Sequence, residues 1–577
     1  MKIAGNDILI QSLINEGVEY IFGYPGGAAL HIYDSIFNQK EMQHILVRHE
    51  QGATHAADGY ARATGKPGVV LVTSGPGATN AITGIATAFM DSIPMVIISG
   101  QVQSHLIGTD AFQETDMIGV SRPIVKHSFT VDKQENIANI VAEAFHIATS
   151  GRQGPVLIDV PKDLTNPDDL FDFVYPDKVH IRSYNPPTKP ENHQVSRAVD
   201  AILASERPVI YAGGGTISSN ASKELRELND LIDAPVTNTL MGLGVFPGTH
   251  KRFLGMLGMH GTYQANMAMH NADLIIALGA RFDDRITNAP DKFAPRAKVI
   301  HFDVDHSSVS KIIEADIAVF GQIKDSLQAI NNHLKTKIDE IDNEKLAPWH
   351  QQISDWKEKH GLNHDLYKIE DDSGPILPQA AVQHIYQESQ GKAFVTSDVG
   401  QHQMFAAQYY HFDEPRKWIN SGGLGTMGFG LPSAMGVKLA YPDEEVICIT
   451  GEGSIQMCIQ ELSTCSQYKL PIKIFNMNNL ALGMVKQWQD MNYDGRHSSI
   501  SYEDSLPDFV GLAESYGHVG IKITKNSELK KGIAKALSIK DRLVFVDIYV
   551  DPDEHVYPMQ VANGSLKDLW LSKGEKT

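Results

Sequence analysis

Short apolar runs that end at glycine alternate with longer mixed segments along this 577-residue chain. Such runs suit strands buried on both faces, and the segments between them have room for helices. The pattern predicts an α/β chain of three doubly wound parallel-sheet domains. The first block, 1–182, holds "GVVLVTSGPG" (68–77), "PMVIISGQ" (94–101) and "GPVLIDVP" (154–161), and closes in the proline-rich "SYNPPTKPENHQ" (183–194). The second, 190–335, holds "RPVIYAGGG" (207–215), "ADLIIALGARF" (272–282) and "AKVIHFDVD" (297–305). A polar stretch, helical in places, from Thr336 to Gly374 reads as a long surface connection. The third block, 370–550, holds "KAFVTSDVG" (392–400), "EVICITGEG" (445–453), "LPIKIFNMNN" (470–479) and "RLVFVDIYV" (542–550). Blocks one and three read as distant counterparts without a residue-level repeat. The charged segment 551–577 reads as a mobile C-terminal tail.

Composition narrows the classes. A net charge of −19 argues against a nucleic-acid surface, so an anionic substrate must be met by local cations. Three cysteines, Cys448, Cys458 and Cys465, lack CxxC spacing, which disfavours a zinc site or disulfide framework and fits a reducing cytoplasm. The N-terminal pattern is amphipathic and closed by Gly17, and no apolar run reaches the roughly 18 residues of a membrane span, so export and membrane insertion are disfavoured.

In open parallel sheets ligands bind at the carboxyl ends of strands, which puts the chemistry at the glycine-rich exits. "GEGS" (451–454) and the Asn pair at 478–479 close two strands, and carboxylate, amide and carbonyl oxygens suit Mg²⁺ holding a diphosphate. An acidic surface turn with an Asn-rich hairpin is the plainer alternative. "SGPGATNA" (74–81) is either a backbone approach to a ligand or a tight turn before a helix. "GLGTMGFGLP" (423–432) is only loosely like a dinucleotide fingerprint and follows no clear strand. Glu50 sits where a helix starts, and an acid there is favoured by the helix dipole whether or not it has a further role.

Taken together these motifs resemble a known family. "GEGS" with "NN" is similar to the thiamine-diphosphate signature. "YPGG" (24–27), "RHEQGA" (48–53), "SGPGATN" (74–80), "IGTDAFQE" (107–114) and "KHSF" (126–129) narrow the match. With "LGMHG" (257–261), "GARFDDR" (279–285) and "GMVKQWQD" (483–490) the chain resembles the large catalytic subunit of acetohydroxyacid (acetolactate) synthase, bacterial biosynthetic type. The resemblance implies a transferase with thiamine diphosphate, Mg²⁺ and FAD. It implies decarboxylation of pyruvate and transfer of the hydroxyethyl unit to a second pyruvate or to 2-ketobutyrate, which begins valine, leucine and isoleucine synthesis. The three blocks become a pyrimidine domain, an FAD-binding-like central domain and a diphosphate domain. A homodimer with the site between two subunits and a separate small regulatory subunit are implied as partners.

The same resemblance places residues. Glu50 holds the cofactor's ring nitrogen, Gly27 lies near the forming alkoxide, and Gln113 and Lys162 are further catalytic positions. Met259 and Trp488 wall the second ketoacid, and Arg285 meets its carboxylate. Val399, Gly400, Gln401 and His402 hold the diphosphate end of the cofactor, Gly425 and Met427 lie around the aminopyrimidine, and Gly453, Ser454 and Met484 are further thiamine-diphosphate positions. The FAD positions are Arg152, Gly213, Gly214, Thr239, Leu240, Arg281 and Asp303. Glu452, Asn479 and Ala481, the last by its carbonyl, are the metal ligands. Departures are Glu452 where the family has Asp, which predicts retained but weakened metal affinity, Gln103 at the mouth of the site, Gln322 beside the FAD adenosine, and Leu480 and Ala481 in place of bulkier residues. Glu452 also leaves open a catalytically weakened paralogue that serves as a scaffold.

Overall fold

The structure, a computed structural model, describes residues 2–502 and 504–577. Strands β1 (Lys2–Ala4), β2 (Tyr20–Tyr24), β3 (Gln43–Leu46), β4 (Gly68–Val72), β5 (Met95–Gln101), β6 (His127–Thr130), β7 (Pro155–Pro161) and β8 (Leu170–Asp172) belong to the N-terminal part. Six of them form a parallel sheet in the order β3-β2-β4-β5-β7-β6, while β1 and β8 pair antiparallel beside it. In β5, Met95 and Ile97 face one apolar cluster and Val96 and Ile98 the other. Burial on both faces is why the run shows no polar alternation.

The central part carries β9 (Pro208–Ala212), β10 (Val236–Asn238), β11 (Phe253–Met256), β12 (Leu274–Leu278), β13 (Lys298–Asp303) and β14 (Ile317–Phe320), parallel in the order β11-β10-β9-β12-β13-β14. Counted within the sheet this is 3-2-1-4-5-6, the order that binds dinucleotides where it reverses, here between β9 and β12. The C-terminal part carries β15 (Phe394–Ser397), β16 (Trp418–Asn420), β17 (Val446–Thr450), β18 (Lys473–Asn478), β19 (Val519–Ile523) and β20 (Val544–Tyr549). Its order β16-β15-β17-β18-β20-β19 repeats that of the N-terminal sheet strand for strand. The structure thus shows at the level of topology the likeness between blocks one and three that residue identities conceal.

Two expectations change. The glycine-rich stretch at 423–432 does follow a strand, β16, whose three residues are too few to register as an apolar run. The segment expected to be a mobile tail is instead packed: Val556, Met559, Leu566 and Leu569 are buried, and β21 (Met559–Gln560), β22 (Leu569–Ser572) and β23 (Glu575–Lys576) form a small antiparallel sheet. Its backbone is anchored on the central part by Asn288, whose Nδ2 donates to the carbonyls of Val561 (2.8 Å) and Gly564 (3.0 Å), and by Gln560 N–H to Met259 O (2.9 Å). The 336–374 connection is helical at Ala347–His360, where Trp349 buries its ring and donates to Pro208 O.

The first and third sheets share one apolar cluster through two helices, Glu50–Thr64 and Gly430–Ala440. Both helices are lined with small residues, Ala53, Ala56 and Ala57 on one and Ala434 on the other, so their backbones come close. A Cβ at Gly436 would overlap the carbonyl oxygen of Ala56, and one at Gly59 the carbonyl of Ser433. Valine at 436 gains less than about 0.5 kcal/mol of helix propensity and meets backbone that cannot rotate away. Gly436→Val should therefore cost roughly 1–3 kcal/mol net, seen as a lower urea midpoint at unchanged slope. An unshifted midpoint would mean that the helix pair has slack.

Candidate active site

The C-terminal sheet reverses its order between β15 and β17, and the residues leaving those strands meet there. After β15 come Asp398, Val399 and Gly400, and then the helix Gln401–Tyr409, whose N-terminus points its free N–H groups at the crevice. After β17 come Gly451 and the short helix Glu452–Ile455. The pocket between them is lined by Val399 to His402, Met427, Gly451 to Ser454, Asn479, Ala481 and Met484 among others. Ser454 Oγ donates to Val399 O at 3.0 Å and ties the two exits together. Asp398 has no motif to mark it, yet its buried carboxylate accepts from Thr450 Oγ1 (2.7 Å) and from Gly430 N–H (2.9 Å), which fixes the start of the helix that packs on Glu50's.

Glu452 is 1% exposed, and its carboxylate reaches across to the end of β18. It accepts from Ala481 N–H at 2.7 Å and from Asn479 N–H at 3.4 Å. Burial pushes this carboxyl up to about 7 against the pull of those backbone donors. The Asn pair divides its work. Asn478 turns into the sheet and donates to Asp547 (3.1 Å), while Asn479 donates to Gln401 Oε1 (3.2 Å) at the pocket wall. Leu480 between Asn479 and Ala481 holds φ +61°, a left-handed conformation that costs a non-glycine residue. Glu452, Asn479 and Ala481, which carry a carboxylate, a carboxamide and a main-chain carbonyl, thus line the same pocket. No group of three His, Cys, Asp or Glu side chains that could hold a metal occurs among the described residues; carboxylate, carboxamide and carbonyl oxygens are the ligand types that suit Mg²⁺.

His402 is buried in the same pocket, and burial lowers its imidazole to about 3, so the ring is neutral. Its Nε2 has no hydrogen-bond partner among the described residues. Beta carbons at Gly400 and Gly451 would each press on this ring, at 2.8 Å from its nearest atom. A buried, unsatisfied nitrogen beside a helix N-terminus fits a phosphate oxygen in the tautomer that carries its proton on Nε2. Tyr502, which sequence reasoning did not single out, sets its hydroxyl against Gly453, where a Cβ would overlap it.

The pocket shares Val399, Gly400, Met427 and Met484 with a larger cavity of about 670 Å³. Met259 and Arg285 of the central part and Gly425 and Trp488 of the C-terminal part line it. Arg152, Gly213, Gly214, Thr239, Leu240, Arg281 and Asp303 line it toward the central sheet. Gly213 leaves β9 at the reversal point, and a Cβ there would overlap Gly279 O, which leaves β12. Arg152 donates to Ser92 Oγ (2.8 Å) and pairs with Asp305 (3.3 Å). Asp303, at the end of β13, is raised to about 6 by burial. Gln322 also lines the cavity, with its Oε1 taken by Ser219 Oγ (2.9 Å). Arg62 and Asp91, also missed in the sequence, brace the loop that carries Gly425 and Met427. Asp91 accepts from Gly423 N–H (2.7 Å) and Gly422 N–H (3.0 Å), Arg62 pairs with Asp91 (2.9 Å) and Asp58, and Thr87 bonds Thr426 (2.7 Å).

Glu50, Gly27, Gln113 and Lys162 form a separate group. They lie at the carboxyl ends of the N-terminal strands and line neither cavity. Glu50 opens its helix, is 8% exposed and accepts from Asn80 Nδ2 at 2.9 Å. Beside it are Thr73 and Gly77, and Gly26 packs on Thr73, so the "YPGG" and "SGPG" loops meet at that sheet's own reversal point between β2 and β4. Gln113, at φ +61°, backs Gly75, and Lys162 begins the turn after β7.

Comparison with known proteins agrees with this geometry. The models of the thiamine pyrophosphate enzymes match residues 3–120 as the N-terminal TPP binding domain, 195–330 as the central domain and 398–548 as the C-terminal TPP binding domain. The acetolactate synthase isozyme 3 large subunit of Escherichia coli (strain K12) is 55% identical over 577 residues, the full length of both chains. The acetolactate synthase large subunit of Haemophilus influenzae is 55% identical over 580 residues, covering all of this chain and 99% of its own. That of Corynebacterium glutamicum is 43% identical over 576 residues, covering 99% of this chain and 91% of its own. The chain belongs to the acetolactate synthase large-subunit family of thiamine pyrophosphate enzymes.

Proposed function

We propose that this chain is the catalytic subunit of an acetolactate synthase, which removes CO₂ from pyruvate and passes the remaining two-carbon unit to a second pyruvate or to 2-ketobutyrate, at the start of valine, leucine and isoleucine synthesis. The observation that carries the reading is the strand-end pocket where Glu452, Asn479, Ala481 and the neutral His402 converge, opening into a cavity walled by Met259, Arg285 and Trp488. Thiamine diphosphate, when bound, supplies the carbanion and electron sink for the reaction. Glu452, the Asn479 oxygen and the Ala481 carbonyl would hold Mg²⁺, and His402 and the N–H groups opening the Gln401 helix would hold the diphosphate. Glu50 would hold a proton at the cofactor's ring nitrogen, in a setting dry enough to make that exchange effective. Arg285 is the cation available to a ketoacid carboxylate.

Glu50 lines neither cavity, so the reading assigns it to the pocket of a second copy, a homodimer with the site between subunits. The relatives' designation as large subunits supports a separate small regulatory subunit. The central sheet's strand order and the glycines at its reversal support FAD in the part of the cavity lined by Arg152, Gly213 and Asp303. No helix among the described residues is long and apolar enough to cross a membrane. The three cysteines are free and buried, in keeping with a cytoplasmic enzyme. The scaffold alternative finds no support, because the Glu452 carboxylate reaches the β18 exit despite its extra methylene.

Purified protein should be yellow, and should form acetolactate from pyruvate only when thiamine diphosphate and Mg²⁺ are supplied. Glu50→Gln should lower kcat about 10²- to 10⁴-fold, the range for loss of a positioned proton-transfer group. A parent-like rate in that variant removes Glu50 from the chemistry. A second comparison concerns the metal. Glu452→Asp should reach half-maximal activity at several-fold lower Mg²⁺ than the parent, because the shorter acid better suits near-octahedral geometry. Coincident curves would show that the Gly451 and Gly453 turn absorbs the extra methylene.

A further inference from the structure

Gln487 is fully buried on the helix Gly483–Asn492, one residue before Trp488, and points away from the cavity that Trp488 lines. Its carboxamide is clasped by one backbone unit of the C-terminal segment. Val556 N–H donates to Gln487 Oε1 and Gln487 Nε2 donates to Val556 O, each at 3.0 Å. This pairing fixes the amide's orientation, since the Val556 backbone needs an oxygen opposite its N–H and a nitrogen opposite its carbonyl. The consequence propagates. Gln487 Oε1 also accepts from Gln401 Nε2 at 3.0 Å, so Gln401 must present its oxygen on the other side, where Asn479 Nδ2 donates to it at 3.2 Å. Asn479 is left with its Oδ1 on the far side, where Ala481 N–H, at 3.2 Å, uses one of two lone pairs.

Gln401 and Asn479 have no room to turn independently. A Cβ at Gly483 would overlap both Gln401 Oε1 and Asn479 Nδ2, so the helix N-terminus sits directly on the two amides. Three side-chain amides thus stand in line from Val556 to the proposed cation site, and backbone groups hold the same flips: Gln401 Nε2 also donates to Glu554 O (3.4 Å), and Ala481 N–H to Asn479 Oδ1.

We propose that Gln487 is a positioning residue for the metal: through Gln401 it holds Asn479 with the carboxamide oxygen, not the nitrogen, toward the cation. This rests on the reading of Asn479 as a ligand. Groups that orient ligands from behind typically change metal affinity about 10- to 100-fold when removed.

The test is calorimetric titration of Mg²⁺ into the full chain with thiamine diphosphate, for the parent, Gln487→Glu, Gln487→Met and Asn479→Ala, with thermal unfolding alongside. Gln487→Met, which fills the volume but can orient nothing, should bind Mg²⁺ about tenfold or more weakly. Gln487→Glu still accepts from Gln401 Nε2 and should stay within about threefold of the parent, although its buried charge lowers Tm more than methionine does. A role in packing alone gives the opposite order of affinities, because the better-packed methionine would then bind better. That opposite order, or Mg²⁺ affinity unchanged in Gln487→Met, overturns the proposal. Asn479→Ala separates the two layers. Parent-like binding there removes Asn479 as a ligand and the orienting role with it. Weak binding there beside parent-like Gln487→Met removes the orienting role alone and leaves the reading of the site standing.

Discussion

The site depends on one buried carboxylate spanning the ends of two neighbouring strands. Glu452 leaves β17, and its oxygens take the N–H groups of Asn479 and Ala481 beyond β18. A buried acid is costly unless its oxygens are satisfied, and a backbone in the left-handed region is costly unless something holds it. Each offsets the other here: the carboxylate gains donors, and the Leu480 turn is held in its unusual conformation. With that turn fixed, Asn479 is delivered to Gln401 at the pocket wall. Burial raises the Glu452 carboxyl, and a divalent cation held beside it would favour its charged form.

The three sheets put such features where parallel topology demands them. The N-terminal and C-terminal sheets have the same order, and both gather glycine-rich loops at the reversal of that order. The central sheet reverses between β9 and β12, where Gly213 and Gly279 approach too closely for side chains. Three reversal points in one chain give three crevices, and two of them open into one continuous cavity. The third, carrying Glu50, stands apart from it.

Much of this was legible in the sequence, for a physical reason. Strands buried on both faces leave continuous apolar runs, and strand exits that approach ligands need glycine, so the three sheets and the exits at 74–77, 213–215 and 451–454 stand out. What stayed hidden is set by partners distant in the chain. Asp398, Asp91 and Gln487 are ordinary polar residues until the fold gives each a backbone unit to bind. The C-terminal segment hid its packing because its buried residues, Val556, Met559, Leu566 and Leu569, fall at irregular spacings among polar, Pro and Gly positions and form no pattern of period 2 or 3.6. The Asn pair read as one feature, yet alternation along β18 sends Asn478 into the sheet toward Asp547 and leaves Asn479 for the pocket.

The N-terminal sheet faces two ways, and its two duties explain why its helices are packed so tightly. Through Arg62, Asp91 and Thr87 it grips the 421–427 loop of its own chain, in a buried network whose guanidinium also lies over the Phe429 ring at 5.3 Å. Through Glu50, on the same helix as Arg62 and three turns away, it offers an acid outside its own chain's cavity. One rigid helix therefore carries both the brace of one site and the acid proposed for the other. Any shift of the Glu50 helix against Gly430–Ala440 would move Glu50 and the 421–427 loop together, and the glycine contacts at 59 and 436 leave no space for that shift. If two copies of the chain do share their sites, the geometry of each is set by the same helix pair, and a change that loosens the pair in one copy reaches the pocket of the other.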